Sequence, residues 1–139
     1  MKQHVQVLAV QELLDDKVNG IAGVCSAVVV AEDGLALYWS GMAQESADSR
    51  AAIVSGLASL AENAAVVDGT GAVLRTLIEM EDGYFMVVRS ADTTHLAVST
   101  TRSANLQTVG FELTRLTQQL ATVLEAGRRR PAGPGGAPA

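Results

Sequence analysis

Hydrophobic and polar positions along the chain switch between a helical period and a strand period, and the switches divide it into eight segments. Val7, Val10, Leu14 and Val18 recur at helical spacing, with Leu13 and Ile21 beside them. Glu12, Asp15, Asp16 and Lys17 give this first helix its polar side, and Asn19-Gly20 tolerates the left-handed conformation that ends a helix. Val24 to Ala31 (VCSAVVVA) is apolar on both alternating faces, as expected of a strand covered on both sides. Asp33-Gly34 predicts a tight hairpin turn with positive φ at both central positions. Leu35 to Ser40 then returns antiparallel, with Leu35, Leu37 and Trp39 on one side and Ala36 and Tyr38 on the other.

The next segment departs from the usual amphipathic pattern. Ala51 to Val67 (AAIVSGLASLAENAAVV) has helical composition but no convincing polar face. Ile53, Leu57, Leu60, Ala61 and Ala64 form one apolar stripe; Ala51, Val54, Ser55, Ala58 and Ala65 form a second. One stripe is expected on the chain's own sheet and the other under a second molecule; spacing alone leaves open which is which. Gly41 to Ser49 reads as a polar connector, with Asp48 or Ser49 capping the helix, and Asp68-Gly69-Thr70-Gly71 ends it.

Val73 to Met80 and Tyr84 to Arg89 predict a second hairpin around Glu81-Asp82-Gly83. Leu74, Ile78 and Met80 share one face of its first strand, and Arg75, Leu77 and Glu79 the other; the charges mark an edge strand. His95 to Thr100 is the last strand, reached through the polar loop Ala91 to Thr94. Leu106, Val109, Leu113, Leu116, Leu120 and Val123 then follow helical spacing until Gly127. The order helix-strand-strand-helix-strand-strand-strand-helix predicts an α/β fold, a three-layer α-β-α sandwich on a five-stranded, mostly antiparallel sheet. Residues 1–127 make one domain, and 128–139 (RRRPAGPGGAPA) a disordered basic and then proline/glycine/alanine-rich tail.

Composition narrows the chemistry. At 139 residues the chain can bury a real core, and its few aromatics (4%) leave aliphatic and alanine packing to fill it. A net charge of −5 argues against a nucleic-acid surface. The single cysteine excludes an intramolecular disulfide and fits a reducing compartment. The charged N-terminus is unlike a signal peptide, and no apolar run is expected to approach a bilayer span, which together predict a cytoplasmic protein without membrane insertion.

No residue set resembles an active site. Gly69-Thr70-Gly71 lacks the lysine and spacing of a phosphate loop. His4 and His95 are in no metal-ligand spacing with Cys25, and His95 reads as a half-exposed structural residue. Cys25, opening an apolar strand, is expected to be a small buried hydrophobe. Asp15/Asp16 and Glu81/Asp82 fit a solvated helix face and a turn, and Arg128 to Arg130 a solvated tail. No catalytic residue, metal or cofactor is expected.

Four segments together resemble the roadblock family, which includes the roadblock-type dynein light chains. They are Gly23-Val24 with Ala27-Val28-Val29 and Asp33-Gly34-Leu35; Ser55 to Leu60; Arg75 to Glu81 with Gly83-Tyr84; and Leu96-Ala97-Val98 with Val109-Gly110 and Glu112-Leu113. Their order spans about Val5 to Val123 and is most similar to the short stand-alone roadblock proteins of actinobacteria, encoded beside a sensor-kinase-like protein and a Ras-like GTPase. Asn105 and Gln107 stand where many relatives carry aspartate and glycine; asparagine still caps a helix, whereas a contact using the aspartate charge would be lost.

The resemblance implies a profilin-like fold and a homodimer in which middle helices pack together and third strands pair edge to edge. The interface it implies takes Ala51, Val54, Ser55, Ala58, Glu62 and Ala65 from the helix and Val73, Arg75, Leu77 and Glu79 from the strand. It further implies a non-enzymatic module that regulates or scaffolds a cytoplasmic Ras-like small GTPase, in a complex with a histidine-kinase-like protein, and recruited to the membrane by a partner. Family members bind small GTPases, and some stimulate hydrolysis without inserting an arginine. A different class, a small-ligand sensor with a pocket between sheet and helices, also fits a three-layer fold.

Overall fold

The computed structural model describes residues 2–90 and 93–128, which form eight elements in the expected order. These are α1 (Lys2–Gly20), β1 (Val24–Val30), β2 (Ala36–Ser40), α2 (Gln44–Asp68), β3 (Arg75–Met80), β4 (Gly83–Arg89), β5 (His95–Thr101) and α3 (Leu106–Arg128). The five strands make one sheet in the order β2-β1-β5-β4-β3, and every neighbouring pair is antiparallel. The two hairpins therefore lie at the two sides of the sheet, with β5 joining them through β1 and β4. This order leaves β3 at one edge, as its alternating charges predict, and β2 at the other.

Two cores flank the sheet. On one face Val10, Leu14 and Val18 of α1 and Val109, Leu113, Leu116 and Leu120 of α3 pack on Ala27, Val29, Met86, Val88, Leu96 and Val98. On the other face α2 is the one helix among the described residues, and Ala47, Ala51 and Val54 pack on Val28, Val30, Phe85, Val87 and Ala97. Alternate residues of β1 feed opposite cores, as a strand apolar on both faces must. The polar side of α1 is less solvated than its charges suggest. Asp15 accepts hydrogen bonds from Ser40 Oγ and Gln11 Nε2, and Lys17 Nζ meets Glu112 Oε2 of α3 at 3.2 Å.

Several details differ from the sequence expectation. Among the described non-glycine residues only Thr93 has positive φ, so Asp33 does not share the left-handed conformation of Gly34 (φ 88°). The Gly34 N–H donates to Ala31 O and the Ala31 N–H to Leu35 O, a three-residue loop closed by glycine in place of a two-residue one. In β2 the register skips Leu37, because Val29 pairs with Tyr38 and Val30 with Ala36. That extra residue resets the alternation, and Ala36 and Tyr38 pack against opposite cores. Cys25 is likewise the residue skipped between the Val24–Thr100 and Ser26–Ser99 pairs. It is exposed and not the buried hydrophobe expected.

The ends of the helices also shift. α2 begins at Gln44, with Ala43 at its cap position and no side-chain cap. Asp48 and Ser49 are therefore inside the helix, and Ser49 Oγ donates back to Glu45 O. The early start puts Ala47 over the sheet, and its burial supplies what the missing cap does not. At the other end Gly69 is left-handed (φ 65°), and the N–H groups of Gly69 and Thr70 donate to Val66 O and Ala65 O, as Asp68 to Gly71 predicts. Asn105 Oδ1 accepts the Thr108 N–H at 3.0 Å, so the asparagine caps α3. α3 passes through Gly127 to Arg128; the expected disordered tail otherwise falls on residues 129–139, outside the described residues.

Candidate functional site

The orientation of α2 decides which surface is available. Ala51 is 1% exposed and Val54 0%, both seated on the sheet of their own chain. These two interface expectations are corrected: the residues belong to the domain core and no partner can reach them. Ala47 and Ala51 let the N-terminal half of the helix approach the sheet closely, and Val54, with Leu57 beside it, fills the space that follows. Other bulky residues are turned outward. Ile53 is 53% exposed, Leu60 68% and Val67 83%, three aliphatic side chains spaced seven residues apart on one flank. Spacing left the choice of stripe open, and the interface that the resemblance implied took Ala51 and Val54, which the structure buries; Leu57, from the other stripe, packs partly on the same core.

Neighbouring positions of α2 border the open edge. Ala61, Ala64, Ala65 and Asp68 of α2 line an open groove of about 390 Å³ together with Val73 and Leu77 beside and on β3. Leu74, Leu77 and Met80 are exposed there, whereas Ile78 packs partly on the α2 core. Of the remaining interface expectations, Arg75, Leu77 and Glu79 are exposed on β3, and Ala65 and Val73 are half-buried in the groove. Arg75 reaches over α3, where its guanidinium occupies the space above Gly110. Glu79 Oε2 pairs with Arg102 Nη1 at 2.9 Å, beside the Arg102 hydrogen bond to Met80 O.

Ser55, Ala58 and Glu62 line a polar cleft of about 380 Å³, and Ala58 and Glu62 also border Val73, Leu74, Arg75 and Thr76 beside and on β3. Its walls are Ser55, Ser59 and Glu62 from α2, Glu32 from the β1–β2 loop, Arg89 at the end of β4 and His95 at the start of β5. Val30, Ala31 and Ala58 supply its apolar lining. Arg89 and His95 are cross-strand neighbours, and Arg89 Nη1 is 3.8 Å from Glu62 Oε1. Thr93, with φ 72°, donates from Oγ1 to Glu32 Oε2 at 3.4 Å; a β-branched residue seldom takes that backbone conformation.

Burial and the Arg89 charge lower the pKa of His95 below its ordinary value of 6.5, opposed by Glu62, so the imidazole is neutral at pH 7. A histidine depressed on folding binds its proton more readily in the unfolded chain. Stability is therefore full above the unfolded value and falls as pH drops below about 6.5. His95→Gln is expected to flatten the melting temperature between pH 7 and 5; an unchanged slope would assign it to other groups.

By length and composition α2 is long and apolar enough to cross a membrane, contrary to the sequence expectation. Its burial of Ala47, Ala51 and Val54 on the sheet fixes it instead as one layer of the domain, with the opposite side still uncovered. The described geometry thus defines a class of protein: a three-layer α/β domain with an apolar helix flank and an unpaired strand edge. No group of acidic, histidine or cysteine residues among those described could hold a metal ion.

Residues 10–100 match the model of the Roadblock/LC7 domain, and the chain belongs to that family. It is similar to a Roadblock/LC7 domain structure from Streptomyces avermitilis, with 30% identity over 83% of this chain and 97% of the other, and a TM-score of 0.79. It is also similar to Myxococcus xanthus MglB (15% identity, 85% and 96% covered, TM-score 0.77). The gliding protein MglB of Thermus thermophilus is a third (18% identity, 86% and 91% covered, TM-score 0.76). At the identities of the two MglB proteins the likeness is one of fold. Comparison with curated proteins gives no match.

Proposed function

We propose that this chain is a homodimeric binding module that regulates or scaffolds a Ras-like small GTPase. The observation that carries the reading is the exposed apolar flank Ile53–Leu60–Val67 together with the unpaired edge of β3, which α2 borders through Ala61, Ala64 and Ala65. Isolated apolar residues on a surface need no explanation, but a heptad-spaced flank beside an open edge favours association. In the proposed dimer two copies of α2 pack through this flank and two β3 strands pair, joining both sheets. The resulting platform presents two copies of the chain to a GTPase through a surface of ordinary size, roughly 800 Å² per partner.

The module contributes no catalytic group in this reading. Phosphoryl transfer depends on positioning and on stabilising charge around the nucleotide, and the GTPase carries those groups itself. The platform holds the GTPase's mobile loops in one arrangement. It acts in the cytoplasm, with a histidine-kinase-like protein as a further component of the complex, and meets the membrane only through a partner.

The test mixes the purified chain with a Ras-like GTPase from the same genome in its GDP, GTP-analogue and transition-state-analogue forms. A complex in at least one form, lost on Leu60→Arg, is the expected result. Absence of a complex in all three would remove the GTPase from the reading. A second reading, a small-ligand sensor, is favoured by the polar cleft between α2 and the sheet, which falls within the size range of ligand pockets.

A further inference from the structure

We propose that the cleft beneath Ser55, Ser59 and Glu62 is a binding site for a free α-amino acid. The inference rests on the sensor reading and names its ligand class; it does not depend on GTPase binding.

Charge narrows the choice first. Among the described residues that line it, Glu32 and Glu62 contribute two negative charges and Arg89 one positive charge, with His95 neutral, so this lining carries a formal charge of −1 at pH 7. An inorganic phosphate or a dicarboxylate would meet net repulsion there. A simple amine would compete with Arg89 for the carboxylates. A zwitterion fits both signs, because its carboxylate and ammonium sit on one carbon, and Arg89 and Glu62 offer the opposite charges side by side.

Availability points the same way. The Arg89–Glu62 pair is separated by 3.8 Å and each side chain is 43% exposed. A pair that long and that wet is weakly held, so opening it for a ligand costs little. A guanidinium has five N–H donors, and among the described residues Arg89 commits them in the cleft to that one long contact. The ligand carboxylate would take Arg89 and a serine hydroxyl; its ammonium would take Glu62 and Glu32. Val30, Ala31 and Ala58 would receive the ligand side chain.

The cleft opens on the Ser55–Ser59 flank, away from Ile53 and Leu60, so the dimer flank and the ligand do not compete for the same surface. A bound ligand would tie α2 to the ends of β4 and β5. That is a direct route by which an amino acid could stiffen the platform.

Isothermal titration and thermal melting of the full chain test this with the free L-amino acids, short monocarboxylic acids and short primary amines. The expected result is saturable binding and a raised melting temperature for one or a few amino acids, with neither monofunctional series binding as well. Arg89→Gln and Glu62→Gln should each weaken that binding about tenfold or more, the usual cost of losing a charge-assisted hydrogen bond. Ser59→Leu, which fills the cleft, should abolish it. Equal binding of carboxylic acids or of amines, binding indifferent to all three substitutions, or no binding at about 10 mM, a very weak affinity by any standard, would each overturn the proposal. If a variant fails to fold, the comparison of the three ligand series on the unmodified chain still decides. The GTPase assay is run without amino acids, so failure here leaves that reading intact.

Discussion

Replacing Leu60 with arginine is expected to turn the proposed dimer into a folded monomer. Leu60 is 68% exposed in the single chain, so the longer cation has water around it and the core is untouched. In the dimer the same side chain would be enclosed by the partner's helix. Truncating or replacing an interface residue at the centre of a contact costs about 2 kcal/mol or more. Two-fold symmetry places the change twice, roughly 4 kcal/mol, which weakens dimerisation by about three orders of magnitude. Light scattering at micromolar concentration should report half the mass, with an unchanged circular dichroism spectrum. A variant that keeps the dimer mass would show that chains associate through some surface other than this flank.

Val54→Arg should behave in the opposite way. Val54 is fully buried among Val28, Val30, Phe85 and Val87, and none of the neighbours in that core can pair with a guanidinium. An unpaired buried charge costs about 3–5 kcal/mol, a large share of the 5–15 kcal/mol that holds a typical domain together. The melting temperature should fall by on the order of 10 °C or more, or the cooperative transition should disappear. The loss should be the same at low and high protein concentration, because it lies within one chain. A soluble, normally melting monomer would mean that Val54 faces a partner, and that the described orientation of α2 is reversed. Together the two substitutions separate the inner stripe from the outer one.

Much of the fold was legible in the sequence because it depends on local pattern. Two strand-length runs around Asp33-Gly34 and two around Glu81-Asp82-Gly83 could hardly be anything but hairpins. The chain could also be placed in its family from four separated segments, since each records a local requirement of the fold. The candidate site was less legible. The β3 edge was found, because Arg75 and Glu79 on one face of a strand are a local signal. Cys25 was misplaced because a shift in the register with β5 leaves it unpaired and exposed within β1. A pocket between sheet and helices was conceivable from the fold, but its lining was not legible: Glu32, Glu62, Arg89 and His95 come from one loop and three elements and meet only when α2 crosses the strand ends.

By itself the sequence determined the number, kind and order of elements, the edge character of β3, and the presence of a helix with more apolar surface than one sheet can cover. Each of these follows from side-chain periodicity and turn chemistry within a few residues. Tertiary structure alone decided that Ala47, Ala51 and Val54, with Leu57 beside them, go inward and that Ile53, Leu60 and Val67 go outward. Both stripes are apolar, so the hydrophobic effect does not distinguish them; close packing does, because the residues that face the sheet must fit the space above Val28, Val30, Phe85 and Val87.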